Sequence, residues 1–336
     1  MNSDELTKLK KILETLKKNQ ELFFDKYGVD DIYSNSKIFE IVIANELNHA
    51  LIPGHSGSKD AKNEEGEFEY KHFKESSSNH SWTFNDYSDN TIESLKKIKA
   101  AIFAHIDDTE FPPMLDWYIE VDGNTCSMYL DKRTKELLAS KPKGKVNDRK
   151  MINLSALQLE RDLKLSKTEI TTINKDGKYY KEIMEIQKNS KQMEEITGIS
   201  QILTSNKFWE MLVAIILKHQ VLSEQSGHDA KDDDGNTFEY KVSKNHSWNF
   251  QDISENVLEK YKNDKAIILA VVNKQNLVVT NIYSADSAKV VQRLKEKLEV
   301  KRKKRLAEKG EKLRRSQVSL SKGDLTIVGA VEIEVN

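Results

Sequence analysis

The chain has 336 residues, 32% of them charged, with 53 Lys and Arg against 54 Asp and Glu and a single cysteine, Cys126. That length holds two ordinary domains, each able to bury its own core, and one cysteine excludes an intrachain disulfide framework and fits a reducing cytoplasm, the expected location. The longest apolar runs, MLVAIIL (211–217) and AIILAVV (266–272), are too short to span a bilayer, and MNSDELTKLKK has no apolar core of the kind a signal peptide needs.

In chain order, Leu6, Leu9, Ile12, Leu13 and Leu16 recur at helical spacing and predict an opening amphipathic helix. A second helix is predicted over about 36–50. GEFEYK, entered through a glycine turn, reads as a strand; KAAIFAHI (99–106) reads as a buried one, because its apolar residues run on without alternating. CSMYL (126–130) is read as a further strand and RTKELLAS (133–140) as a helix. The second half repeats the order: helix at about 206–220, strand at FEYK (238–241), buried strand KAIILAVV (265–272), strand LVVTNIY (277–283), helix SAKVVQRLKEKL (287–298).

Residue-level agreement accompanies this order. Residues 18–47 align without a gap to 188–217, placing Gly28 on Gly198, Ile32 on Ile202, Lys37 on Lys207 and Glu40 on Glu210. DAKNEEGEFEYK (60–71) returns as DAKDDDGNTFEYK (229–241), and 81–106 align without a gap to 247–272. Two copies this long are not the short stacked units of a solenoid. They predict a duplicated α/β domain, 1–165 and 171–336, each with a central mixed sheet flanked by helices.

The doubled motif carries chemistry. Residues i and i+2 of a strand share a face, so Glu69 lies beside Lys71 and Glu239 beside Lys241, with Asp60 or Asp229 folding back next to them. Two carboxylates and the intervening carbonyl, of Tyr70 or Tyr240, make an oxygen-rich site suited to Mg²⁺. Such an ion polarises a phosphoryl oxygen, acidifies a bound water and steadies the leaving oxygen, while the lysine orients or helps deprotonate that water and offsets anionic charge in the transition state. One such spacing alone reads as a solvated hairpin; its matched recurrence points to catalysis.

NHSW follows in both copies. Asn79, His80 and Ser81, and Asn245, His246 and Ser247, are short donors and acceptors of the sort that read base edges in a groove. Trp82 and Trp248, with Phe84 and Phe250, are expected to pack. No second His or Cys stands at metal-ligand spacing from these histidines. His49 and His219 are read as helix-surface residues, one position out of register. Basic charge is concentrated in KRKKRLAEKGEKLRR (301–315), with nine Lys and Arg against two Glu, and more mildly in KPKGKVNDRK (141–150). Such clusters suit phosphate contacts, or form solvated helices and loops. SALQL (155–159) and SQVSL (316–320) are loosely matched candidates for further base contacts.

KYGVDDIYSNSKIFEIVIANEL, the IPG and SGSKDAK that follow, the Gly-x-Phe-Glu-x-Lys turn and strand, and the histidine segment beyond resemble PvuII-type restriction endonucleases, of the PD-(D/E)XK nuclease superfamily. The resemblance covers most of the first repeat to about 106 and, more faintly, 186–272. It implies two tandem restriction-endonuclease-like domains arranged as a pseudo-two-fold dimer. It also implies catalytic sets Asp60, Glu69, Lys71 and Asp229, Glu239, Lys241, and major-groove reading by His80 and His246. Asp31 falls where the family places an acid facing DNA; the second repeat has Gln201 there. Ser56 and Ser226 stand where relatives carry an extra glutamate near the metal.

Relatives of this kind are homodimers of roughly half-length chains, so the duplication implies that one chain supplies both halves as a monomer. Two antiparallel strands need two sites related by a near two-fold axis. The function implied is Mg²⁺-dependent cleavage of double-stranded DNA at a palindromic or near-palindromic sequence, with a companion DNA methyltransferase in the cell. Three other readings stay open: a superfamily nuclease acting on modified, damaged or branched DNA, a DNA-binding protein without chemistry, and a protein-interaction scaffold.

Overall fold

The leucine repeat at the start forms α1 (Ser3–Tyr27), which buries Leu9, Ile12 and Leu16. The computed structural model describes residues 3–34, 37–54, 59–84, 89–140, 151–223, 227–309 and 316–335. After α1 come α2 (Lys37–Glu46), β1 (Ala50–Leu51), β2 (Ala61–Asn63), β3 (Gly66–Lys74), β4 (Trp82–Phe84), α3 (Asp89–Leu95), β5 (Ala100–Asp107), β6 (Met114–Asp122), α4 (Gly123–Ala139), β7 (Ile152–Leu154), α5 (Ala156–Leu163) and β8 (Thr168–Glu169). The second half supplies α6 (Tyr180–Thr197), α7 (Lys207–Leu217), β9 (Gln220–Val221), β10 (Ala230–Lys231), β11 (Thr237–Ser243), β12 (Ser247–Phe250), α8 (Glu255–Asn263), β13 (Ala266–Asn273), β14 (Val278–Ala285), α9 (Ser287–Lys309), β15 (Val318–Ser321) and β16 (Val331–Ile333).

Each half builds a six-stranded mixed sheet from its described strands, in the orders β1-β2-β3-β5-β6-β8 and β9-β10-β11-β13-β14-β16. Among the described strands of these sheets, only the β3–β5 and β11–β13 pairings are parallel. Their registers match: Phe68 stands opposite Ala100, and its repeat-mate Phe238 opposite Ala266. The register shift falls at equivalent places too, between His105 and Ile106 and between Val271 and Val272. Small antiparallel pairs, β4–β7 and β12–β15, seat Trp82 opposite Leu154 and Trp248 opposite Leu320. These tryptophans sit in two hydrophobic cores, with Phe103, Ile119, Leu130 and Leu154 in one and Leu269, Tyr283, Leu294 and Leu320 in the other. Both are packing residues, fully buried, their indole N–H groups donating to Ala104 and Ala270 carbonyls at 2.8 and 2.9 Å.

The compact units are residues 19–188, and residues 1–18 with 189–336. These are offset from the repeat limits 1–165 and 171–336. In the first unit the 174–187 stretch is held to the repeat body by specific contacts. Tyr179 is buried and its hydroxyl accepts from Leu51 N at 2.9 Å; its own N–H donates to Asn45 Oδ1 at 3.1 Å; Lys26 pairs with Glu182 at 3.0 Å. Sequence similarity marks where a copy begins, whereas burial of Tyr179, Ile183 and Ile186 decides which body that segment joins.

Two readings of local structure are corrected. CSMYL is helical: Cys126, Tyr129, Leu130 and Thr134 are buried at helical spacing within α4. The strand is instead β6, MLDWYIEVD, whose strict alternation fits a sheet with one buried face. SALQL and SQVSL are not counterparts, since 155–159 opens α5 while 318–321 form β15. The matching pieces are Ile152–Ser155 and Val318–Ser321, each ending in a serine that forms a capping box, with Gln158 or Asp324. No described helix is long and apolar enough to cross a membrane.

Matched helices of the two repeats stop alike. Gly28 and Gly198, both at φ +68°, take the left-handed turn that ends α1 and α6, donating back to Phe24 and Glu194 carbonyls at 2.8 Å. Asn48 and Lys218, at φ 54° and 56°, do the same beyond α2 and α7. Those two helices therefore end at Glu46 and Leu217, short of the expected 50 and 220.

Candidate active site

Asp60 is clamped by the backbone before β2: its N–H donates to Phe68 O at 2.8 Å, and its carbonyl accepts from Ile52 N at 2.9 Å. Its carboxylate then folds onto β3, with Oδ2 accepting from Tyr70 N at 2.7 Å. Glu69 and Lys71 share a face, and the Lys71 ammonium donates to Glu69 Oε1 and, at 3.2 Å, to the Tyr70 carbonyl. The second repeat repeats this: Tyr240 N donates to Asp229 Oδ2 at 2.9 Å, and Lys241 donates to Glu239 Oε1. The acid, acid and lysine expected from the doubled motif are thus brought together in both copies. A cavity of about 440 Å³ opens over the second cluster, lined in part by Glu210, Tyr240, Lys241, Trp209 and Asn249.

A third carboxylate joins each cluster. Glu40 of α2 and Glu210 of α7 arrive paired to buried lysines, Lys37 and Lys207, the latter pair at 2.7 Å. Lys207 also donates to Asp229 Oδ1 at 2.6 Å. The spacing of the FEYK motif carries no sign of these glutamates; the signal was their coincidence, with their lysines, in the alignment of the repeats.

Crowding sets the electrostatics. Burial pushes the Glu69 carboxyl up to about 7; Lys71 opposes the shift, and Asp60 and Glu40 add to it. Glu40 is likewise pushed up to about 7, by burial and the charge of Asp60, against the pull of Lys37. Glu210 reaches about 7 for the same reasons, burial and Asp229, and burial raises Glu239. For Lys71 burial pulls the ammonium down, but Glu69, Asp60 and Glu40 together outweigh it and hold it above its ordinary value. Lys241 is raised in the same way, with burial outweighed by Glu239, Tyr261 and Asp229.

One consequence is a pH-dependent stability. Between about 4.5 and 7 the folded chain keeps the Glu40 proton that the unfolded chain has released, so Glu40 costs stability as pH rises across that window. Glu40→Gln, which cannot ionise, should therefore gain on the parent by roughly 1–3 kcal/mol between pH 5 and pH 7.5. Urea unfolding in EDTA at the two pH values measures this; an unchanged difference would refute it.

His49 and His219 are corrected from surface positions to buried or half-buried ones at matching places beyond their helices. Each Nδ1 meets a tyrosine hydroxyl at 2.8 Å, that of Tyr70 or Tyr240, and each ring stacks on Phe68 or Phe238. Burial lowers His49 to about 4, so it is a neutral strut behind the strand.

The NHSW segments are exposed at Asn79, His80, Asn245 and Ser247, with Ser81 and His246 half-buried. The two histidines are held differently: His80 Nε2 meets the Glu75 carbonyl at 3.1 Å, and His246 Nε2 meets the Tyr283 hydroxyl at 3.2 Å. Asp31 is not brought to the surface; it is buried, in a left-handed backbone conformation that Gln201 shares. The basic residues 301–308 are mostly exposed along α9. Ser56, Ser226, 141–150 and 310–315 lie outside the described residues.

The donor set fits a hard divalent cation. Glu69 is 94% buried (6% exposed) and its Oε2 has no hydrogen-bond partner among the described residues. A buried carboxylate oxygen left so is costly unless a cation reaches it. As they stand, the carboxylates are drawn to lysines, and no three His, Cys, Asp or Glu side chains among the described residues are gathered as a ready metal-binding group.

The fold and site define an α/β chain with two equivalent carboxylate–lysine clusters on two matching mixed sheets. Comparison with protein-family models gives no match, and comparison with curated proteins gives none.

Proposed function

We propose that the chain is a Mg²⁺-dependent, sequence-specific DNA endonuclease of the type II restriction kind, a single-chain pseudo-dimer with one active site per repeat. The observation that supports it is the recurrence of one acid–acid–lysine cluster at the same register positions of two matching sheets, with a buried oxygen of Glu69 unpartnered in the first.

Asp60, Glu69 and the Tyr70 carbonyl would hold one Mg²⁺, and Asp229, Glu239 and the Tyr240 carbonyl another; the bound ion supplies Lewis acidity toward a phosphoryl oxygen and a more acidic water. Lys71 and Lys241 are tethered to the glutamate and kept charged. Each orients the attacking water and sets its charge against the anionic phosphorane as water adds to phosphorus and one P–O ester bond breaks. His80 and His246, with their Asn and Ser neighbours, read bases in two similar half-sites of a near-palindromic target. Phosphate contacts along 301–315 position the duplex. A companion methyltransferase would protect the host sequence.

Digestion of a sequenced phage genome, with Mg²⁺ and with EDTA, tests the proposal through the mapped ends. Discrete ends at one recurring short sequence, only with Mg²⁺, are expected. Binding without hydrolysis, or cleavage restricted to modified or branched DNA, would overturn it.

A further inference from the structure

The two clusters are alike in composition but not in how their carboxylate oxygens are occupied. In the second, Asp229 has both oxygens engaged, Oδ1 by the Lys207 ammonium and Oδ2 by Tyr240 N. Lys207 also pairs with Glu210, so one ammonium, its side chain only 5% exposed, stands between two carboxylates. Glu239 is engaged by Lys241, and the Tyr261 phenol lies within its electrostatic reach. In the first, Lys37 is just as buried but pairs only with Glu40 among the described residues. Asp60 uses Oδ2 on Tyr70 N, and Oδ1 has no partner among the described residues. Glu69 Oε2 has none either. The position matching Tyr261 is Leu95, which has no side-chain donor.

We propose that Lys207 is a built-in counter-cation of the second cluster, so that the two sites take divalent cations with unequal affinity, the first tighter than the second. This rests on the nuclease reading above and deepens it. An ammonium between Glu210 and Asp229 already satisfies the charge a divalent ion would satisfy. To bind, the ion must push the ammonium aside and break its two contacts, or endure its repulsion at close range in a poorly solvated place. The first cluster asks for neither, because the oxygens of Asp60 and Glu69 that have no partner among the described residues are the ones a cation would use. At limiting cation the first site fills before the second, and a nicked duplex accumulates before both strands are cut. Lys207 is thus a positioning residue for its cluster: it acts through Asp229 and Glu210.

Titration of the full chain with Mn²⁺ alone, by calorimetry and by the electron paramagnetic resonance of free Mn²⁺, tests this without turnover. Asp229→Asn leaves the first cluster and Asp60→Asn leaves the second. The expected result is tighter binding in Asp229→Asn than in Asp60→Asn by at least about tenfold. Lys207→Met, similar in length but uncharged, should close that gap by tightening the second site. Equal affinities, the reverse order, or a second site left unchanged or weakened in Lys207→Met would overturn the inference. If Lys207→Met fails to fold, the comparison of the two asparagine variants decides alone. Absence of Mn²⁺ binding in every form would overturn the metal reading itself, a result distinct from equal sites.

Discussion

On the proposed reading, Lys241→Ala in the full chain should yield a protein that nicks its target on supercoiled DNA but does not linearise it. The lysine is the charge nearest the glutamate of its own cluster, and losing such a group, poised against a developing anion, typically costs about 10²–10³ in rate. Lys71 serves the other cluster, so Lys71→Ala should nick the opposite strand. Primer extension across the nicked product reads which strand was cut. Loss of all nicking in either single variant would show that the clusters do not act as separate sites.

Trp82→Ala should destabilise the first unit by about 3–5 kcal/mol, the usual range for emptying the space of a buried large aromatic. The indole is fully buried, tilted or edge-on against Phe73, Phe103 and Trp117 at 5.1–6.0 Å between ring centroids. It also satisfies the Ala104 carbonyl, which the smaller side chain would leave without that donor. Trp248→Ala should cost the second unit a similar amount for the same reasons. Urea unfolding, read as a lowered midpoint at unchanged slope, measures both. On the proposed reading DNA binding should weaken as well, because β4 and β12 continue directly from the His80 and His246 segments and the tryptophans anchor them.

Much of this architecture was legible as repetition. Two copies of a pattern must solve the same packing problem, which is why FEYK and the apolar strands after it pair in parallel at the same register in both halves. The error at CSMYL shows the limit of short runs. Five residues rich in apolar side chains suit either a strand or a buried helix face, and only the length of α4 and its packing resolve that. The histidines show another limit. His49 and His219 are spaced like polar ends of helices, yet each finds a tyrosine hydroxyl 21 residues on, a contact that neither local pattern announces.

From the amino acids alone came the duplication, the α/β order of elements, and the pairing of Glu69 with Lys71 and Glu239 with Lys241. These depend on periodicity and short-range geometry, which a chain carries in its own spacing. Tertiary packing alone decided that Glu40 joins Asp60 from a helix twenty residues away, that Lys207 rests on Asp229 while Lys37 keeps to Glu40, and that residues 1–18 pack with the far half of the chain. Such contacts are set by how close separate elements come once their apolar faces are buried, and no local spacing encodes that distance.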